Sequence, residues 1–181
     1  MKTLKKISLA LGIVLIFTGC DVFSDLLTIT IKDVKITKKF DFNITPLLKT
    51  NGDRVISGSY QFADSATVQL NQSDTLKNYL EHIKSVKIDS ITCKLTGVES
   101  GVIQSLELTV RPLNITKSLN NPEPNSELYV SFTDEEFKSI ANALLASQEL
   151  KFILKGVVNK APVTFSVAVT VDADFVVKII K

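Results

Sequence analysis

The chain has 181 residues, of which 45% are hydrophobic and 22% charged, a balance that is ordinary for one globular domain with a hydrophobic core. Three of its 21 basic residues are lysines in the first six positions, so the remaining chain has 18 basic and 19 acidic residues. This near-neutral remainder lacks a basic footprint for nucleic acid, and we expect no nucleic-acid partner.

The start of the chain has the layout of an export signal. Three lysines among the first six residues precede an apolar run over residues 7–17, and Thr18-Gly19-Cys20 follows. A basic start, a short apolar run and small residues are typical of a secretory signal peptide. The run has 11 residues, whereas a membrane-spanning helix needs about 20, so a transmembrane anchor is the weaker interpretation.

The end of this signal resembles the lipobox of bacterial lipoproteins, Leu-(Ala/Ser/Thr)-(Gly/Ala)-Cys. Thr18, Gly19 and Cys20 match it, and Phe17 stands where leucine is usual. The resemblance is to Gram-negative lipoproteins of the outer-membrane type and covers these residues only. It implies cleavage of a signal peptide at 1–19, acylation of Cys20 with palmitate or a similar chain, and anchoring in the outer membrane of the cell envelope, on its periplasmic side or at the cell surface. An ordinary signal peptide with a coincidental cysteine is the alternative.

The remainder divides into a short lipidated tether, residues 20–25, and a single β-rich domain, residues 26–181. Alternation of apolar and polar residues predicts a strand from Leu27 whose phase flips near Asp33, as a β-bulge would cause. Asn51-Gly52 predicts a turn, and shorter strands are predicted over 55–62 and 68–70.

Two amphipathic helices are predicted, each followed by an antiparallel hairpin. The first spans 75–84, where Asp74 can cap it, and its hairpin spans 86–95 and 102–110. A short strand at 128–132 precedes the second helix, 134–147, which begins with a capping box of Thr133 and Glu136. Strands at 150–154 and 163–179 complete the chain, and a bend is expected near 172–174 because a straight strand of that length would exceed about 50 Å.

The two halves of the domain share a pattern. Equivalent apolar positions lie 60 or 61 residues apart, so residues 66–111 and 127–172 read as a strand-helix-strand-strand repeat, with coincidence as the alternative. We therefore predict an α+β fold, a sandwich-like antiparallel β system covered by two amphipathic helices. A plain β-sandwich with the helices as edge crossovers is the alternative.

The two cysteines predict no disulfide. Cys20 would be lipidated, which leaves Cys93 without a partner. Because Cys93 alternates with Ile91 and Leu95, it is expected to be a buried apolar side chain rather than a nucleophile.

Other reactive side chains are sparse. His82 is the sole histidine and is expected on the polar side of the first helix, while Asp172 and Asp174 provide too few oxygen ligands for calcium. The sequence contains no nucleophile–base set, metal-spaced cluster or phosphate-binding loop. We expect no enzymatic activity, no cofactor and no metal.

Three tripeptides resemble a bacterial O-glycosylation sequon of Asp, then Ser or Thr, then a small or aliphatic residue. Their hydroxyl residues are Ser65, Thr75 and Ser90. Ordinary capping and strand sequence is the alternative.

The stretch 112–126 is the longest predicted loop and contains three prolines; loops of this length are either functional or loosely ordered. Its central residues are the candidate contact surface, namely Asn120, Asn121, Pro122, Glu123, Pro124 and Asn125.

The favoured function is a non-enzymatic binding or scaffolding module at the cell envelope, with an unidentified protein or small-molecule partner. The alternative is a carrier of lipid or another apolar ligand, held in a groove between sheet and helices and lined by the apolar face of 163–179.

Replacement of Cys20 by alanine tests the anchor. We expect Cys20→Ala to lose fatty-acid labelling and to leave the membrane fraction of the cell, because the cysteine is the acylation site. Cys93→Ala, which removes the other cysteine, should keep both properties. Continued labelling of Cys20→Ala would contradict the lipoprotein interpretation.

Overall fold

The computed structural model describes residues 28–46 and 58–179. Its elements are β1 (Thr28–Ile44), β2 (Tyr60–Gln69), two 3-10 turns (Leu70–Gln72 and Leu80–His82), β3 (Ile83–Thr96), β4 (Ile103–Arg111), β5 (Ile115–Asn120), β6 (Glu127–Tyr129), α1 (Asp134–Ser147), β7 (Glu149–Val158) and β8 (Val163–Lys178). The expected signal peptide, the tether with Cys20 and the Asn51-Gly52 turn lie outside the described residues.

The strands form two antiparallel sheets of four strands each. Sheet A has the order β1-β8-β3-β6 and sheet B the order β2-β7-β4-β5. Among the described strands, and apart from the β4–β5 hairpin, each strand is followed along the chain by a strand of the other sheet. Eight strands connected in this way form a double-sheet jelly roll.

The strand order is the same in the two halves of the chain. Each strand of the first half, β1 to β4, corresponds to the strand four places later, β5 to β8. Exchanging corresponding strands turns the order of sheet A into the order of sheet B, read in reverse. This exchange pairs β3 with β7 and β4 with β8, the strands whose apolar positions lie 61 residues apart. The predicted strand-helix-strand-strand form of the repeat is wrong, however, because the first half has no α-helix between β2 and β3.

The hydrophobic core lies between the sheets and is built around β8. This strand pairs with β1 on one side and with β3 on the other. From Phe165 onward, every second side chain of β8 is at most 2% exposed, namely Phe165, Val167, Val169, Val171, Ala173, Phe175 and Val177. Sheet B contributes an equally buried set, namely Leu106, Leu108, Val110, Leu150, Phe152, Leu154 and Val158.

The predicted α+β class with two amphipathic helices is wrong. Among the described residues there is one α-helix, and nearly all other regular structure is antiparallel β. Residues 70–82, which include most of the predicted first helix, cross from sheet B to sheet A through tight turns. Leu76 N donates to Ser73 O at 3.1 Å and Tyr79 N to Leu76 O at 2.8 Å, both i to i+3 bonds. Leu76 is fully buried, but the pairing of Ile83 with β8 begins too soon for a stable helix to form.

The second predicted helix is confirmed as α1. Glu136 N donates to Thr133 Oγ1 at 3.2 Å and Thr133 N donates to Glu136 Oε2 at 2.8 Å, so the expected capping box is present. Ile140, Ala141 and Leu144 form its buried stripe. The helix therefore has a side-chain cap, which the 3-10 turn at Leu80–His82 lacks.

The phase flip predicted near Asp33 is confirmed. Asp33 has a φ of 55°, and the pairing of β1 with β8 shifts between Ile31 and Val34. On the other side of β8, the β3 register shifts between Ile88 and Ser90. β8 itself is one strand over residues 163–178. The register irregularities lie in its neighbours β1 and β3, beside residues 172–174 of β8, where the sequence predicts a bend.

Two further strand predictions need correction. Residues 60–69 form one strand, β2, instead of parts of two short ones. Residues 115–120 form β5 and pair with β4, although they belong to the stretch predicted to be irregular. The prolines on either side hid the short alternation of Ile115, Lys117 and Leu119, which are half-buried.

Three phenylalanines close one end of the core. The rings of Phe42, Phe62 and Phe165 lie 4.7 to 5.1 Å apart between centroids. Gly156 of β7 is the register partner of Phe62, and a Cβ atom at position 156 would overlap the Phe62 ring and the Ser105 carbonyl oxygen. The glycine therefore makes the room that the aromatic cluster needs.

We expect Gly156→Ala to lower the free energy of unfolding by about 1–3 kcal/mol, because the added methyl group overpacks the core. Urea unfolding of the full chain measures this. Lys155→Ala, at the exposed neighbouring position, should stay within about 0.5 kcal/mol of the unsubstituted chain. An unchanged unfolding midpoint for Gly156→Ala would contradict the role of this glycine.

Candidate functional site

The pairing of β1 with β8 defines two ends of the sandwich. Thr28 pairs with Lys178 at one end, here named the proximal end, and Ile44 pairs with Val163 at the other, here named the distal end. At about 3.3 Å per residue, the 16 residues of β8 separate these ends by roughly 50 Å.

Three turns, at 97–102, 121–126 and 159–162, meet at the distal end, and together they are named the distal tip. Hydrogen bonds join them: Ser100 Oγ donates to Glu123 Oε2 at 2.7 Å, and Asn159 Nδ2 donates to Gly101 O at 2.9 Å. Because the turns hold one another, the tip presents a preorganised surface.

The predicted contact surface coincides with one of these turns, but two of its six residues are sheltered from solvent and a third, Asn120, is exposed but held in a strand pair. Asn120 belongs to β5 and pairs with Ser105. Pro122 is buried and Pro124 is half-buried. Removal of the whole stretch would therefore disturb the crossover from β5 to β6.

The other three residues are exposed on a fixed backbone. Asn121 and Asn125 adopt left-handed φ values of 47° and 60°. Their backbone N–H groups donate to Gln104 O at 2.9 Å and to Leu95 O at 2.8 Å. Glu123, between them in the chain, is exposed as well, so the exposed chemistry of this turn is two amides and one carboxylate.

A second surface feature lies beside β3. β6 pairs with β3 over Thr92–Lys94 only, and Val130 N donates to Ile91 O at 2.9 Å. From Ile83 to Ser90, the edge of β3 that faces away from β8 has no strand partner within the described ranges.

Helix α1 packs against β3 and leaves an open cleft of about 650 Å³, here named the β3–α1 groove. Its lining residues are Val86, Lys87, Ile88, Asp89, Asp134, Phe137, Lys138, Ala141 and Asn142. The apolar members lie on both walls, and charged side chains lie between them. The hydrogen bond and ion pair with Asp89 raise the pKa of Lys87, so this lysine stays charged at neutral pH.

Phe137, which forms part of one wall of the β3–α1 groove, packs against a cluster of Phe132, Lys117 and Glu136. The Phe137 ring lies 5.3 Å from the Phe132 ring, and Lys117 Nζ lies 5.4 Å from the Phe132 centroid and 2.7 Å from Glu136 Oε2. Hydrogen bonds from Lys117 and from Thr133 N lower the pKa of Glu136. Their contribution to stability is therefore present above the unfolded-state pKa of this glutamate and is lost as the pH falls through its folded-state pKa.

Cys93 is fully buried, as predicted. Burial raises the pKa of its thiol to about 12, so the thiolate that a nucleophile needs does not form at neutral pH. The stability that this burial contributes is complete below the unfolded-state pKa of the thiol and is lost as the pH rises toward 12.

The remaining polar candidates stay apart. The sequence predicts His82 on the polar side of a helix, and this prediction is wrong. His82 is half-buried in a 3-10 turn. Asp174 Oδ1 accepts a hydrogen bond from Asp33 N at 3.0 Å, and Asp172 Oδ2 lies 3.6 Å from Lys35 Nζ. In the described part of the chain, no group of three or more His, Cys, Asp or Glu side chains is arranged to hold a metal ion. Within the same ranges, no helix has the length and apolar character needed to cross a bilayer.

Comparison with known proteins gives distant likenesses only. No family model matches the chain, and no curated protein matches it. The decameric BFDV capsid protein is similar at 13% identity and a TM-score of 0.42, over 82% of this chain and 98% of that one. Desmodium yellow mottle tymovirus is similar at 11% identity and a TM-score of 0.36, over 82% of this chain and 84% of that one. At these values the likeness assigns no function.

Proposed function

We propose that the chain is a non-enzymatic, lipid-anchored binding module of the cell envelope that contacts a partner protein through its distal tip. The observation that carries this proposal is the position of the tip at the end of the sandwich opposite Thr28. The eight residues from the expected anchor at Cys20 to Thr28 span less than about 28 Å, so the proximal end stays close to the membrane. The tip is then the part of the module that faces away from it.

The chemistry of the tip fits a protein partner. Its turns expose Asn121, Glu123, Asn125 and Lys160, which offer donors and acceptors without a strongly charged field. Lys160 Nζ lies 3.2 Å from Glu99 Oε2, which further ties the turns together. A surface that is already ordered loses little conformational entropy on binding, which favours recognition.

The filled interior supports the binding module over the carrier of apolar ligands. Val167 and Val169, on the apolar face that would line the groove of a carrier, are fully buried. Their register partners include Phe40 on β1 and Leu95 on β3, which are also buried. The space along this face is therefore taken by the side chains of the chain itself.

Site-directed photo-crosslinking in intact cells tests this function. We expect a photoreactive amino acid at Glu123 to give a discrete adduct with one partner, at least fivefold above the yield from Asn78, which is exposed on the turns between β2 and β3. The adduct should depend on the anchor and disappear in a Cys20→Ala background. Equal yields from both positions, or an adduct that persists without the anchor, would contradict the proposal.

A further inference from the structure

We propose that the β3–α1 groove binds a single extended segment of a partner polypeptide, which adds as a strand to the open edge of β3. This is a second contact surface. It is separate from the lipid anchor and from the distal tip, so it stands or falls independently of the function proposed above.

The backbone of β3 supplies the first reason. Its pairing with β8 covers Ile83 to Thr96, whereas β6 covers only Thr92–Lys94 on the other side. Backbone N–H and C=O groups on the uncovered edge lack partners from a strand within the described ranges, and an extended peptide supplies matching groups at the same spacing. The position it would take is the continuation of β6.

The side chains of the groove supply the second reason. Ile88 is 5% exposed, Val86 is half-buried, and α1 brings Phe137 and Ala141 to the opposite wall. Because successive side chains of a strand point to opposite faces, every second side chain of an added strand would enter this cleft. The occupant is therefore a segment with apolar residues at alternate positions.

The length of the regular edge limits the contact. The register of β3 shifts between Ile83 and Ser85 and again between Ile88 and Ser90. Four residues, 85–88, lie between these irregularities in a regular strand. A short ladder of this kind, flanked by apolar contacts, suits a short linear segment of the partner.

A second copy of this chain fits the groove poorly. In an antiparallel pairing of two β3 edges, each copy would bring its own α1 to the cleft that the other must enter. A single extended segment brings no second helix.

Binding of a defined peptide to the full chain in detergent micelles tests the proposal. The probe is a fluorescent peptide of alternating threonine and valine, flanked by lysines, with anisotropy as the readout. Two control peptides are N-methylated at alternate residues, one along each strand edge. We expect methylation of one edge to weaken binding at least tenfold and methylation of the other to change it less than twofold, because one edge pairs with β3.

Matched variants locate the site. Asn142→Trp fills the groove from an exposed position and should weaken binding at least tenfold. Ala146→Trp places the same side chain at an exposed position of α1 outside the groove and should leave the affinity unchanged. A variant at Glu123 of the distal tip should also bind normally, which separates this surface from the tip.

Three results would overturn the proposal. The first is the absence of saturable binding up to about 1 mM peptide, since main-chain bonds should give measurable affinity to any alternating segment. The second is equal loss of binding from methylation of either edge, or from both tryptophan variants. The third is a dimer in sedimentation that Asn142→Trp dissociates, which would assign the groove to a second copy.

Discussion

The structure depends on the burial of one face of β8. Seven alternate side chains of this strand lie between the two sheets, and its backbone pairs with β1 and β3 along most of its length. A shift of one residue in either pairing would turn the apolar face toward solvent, so the register is strongly specified. That register in turn places Thr28 at one end of the sandwich and the turns of the distal tip at the other.

The two neighbours of β8 differ in how their outer edges are protected. β1 carries Lys38 at an inward-facing position between the buried Ile36 and Phe40, a device that discourages pairing with another strand. β3 has register irregularities and outward-facing lysines, but it also has apolar side chains next to a helix. The inward-facing lysine therefore protects the outer edge of β1 against pairing, whereas the outer edge of β3 borders a cleft that can accept a strand.

Patterns in the sequence predict two kinds of element: those stabilised by interactions between residues close in the chain, and strands with a long alternation of apolar and polar residues. The 163–179 run, the Thr133–Glu136 capping box and the phase flip at Asp33 each leave such a pattern, and each corresponds to an observed feature. Residues 75–84 carry a helical spacing too, but their ends are fixed by strands of different sheets, so tight turns replace the helix. Long-range constraints of this kind override a weak local preference.

The surfaces were harder to predict than the core. The loop around Glu123 could be recognised from its prolines and asparagines, although its hydrogen bonds to the turn at Ser100 could not. The β3–α1 groove left no recognisable signal, because it arises from the difference in length between β6, with three residues, and β3, with 14. Strand lengths become informative only when the pairing is known.

Native mass spectrometry of the full chain, extracted gently from its own membrane, tests the central claim most directly. A binding module with a filled core should appear as the covalently lipidated chain, alone or with a protein partner, and with no apolar small molecule retained. A stoichiometric non-covalent lipid, lost on unfolding and retained in the Asn142→Trp variant, would place a ligand in the interior. That result would contradict the account and favour the carrier.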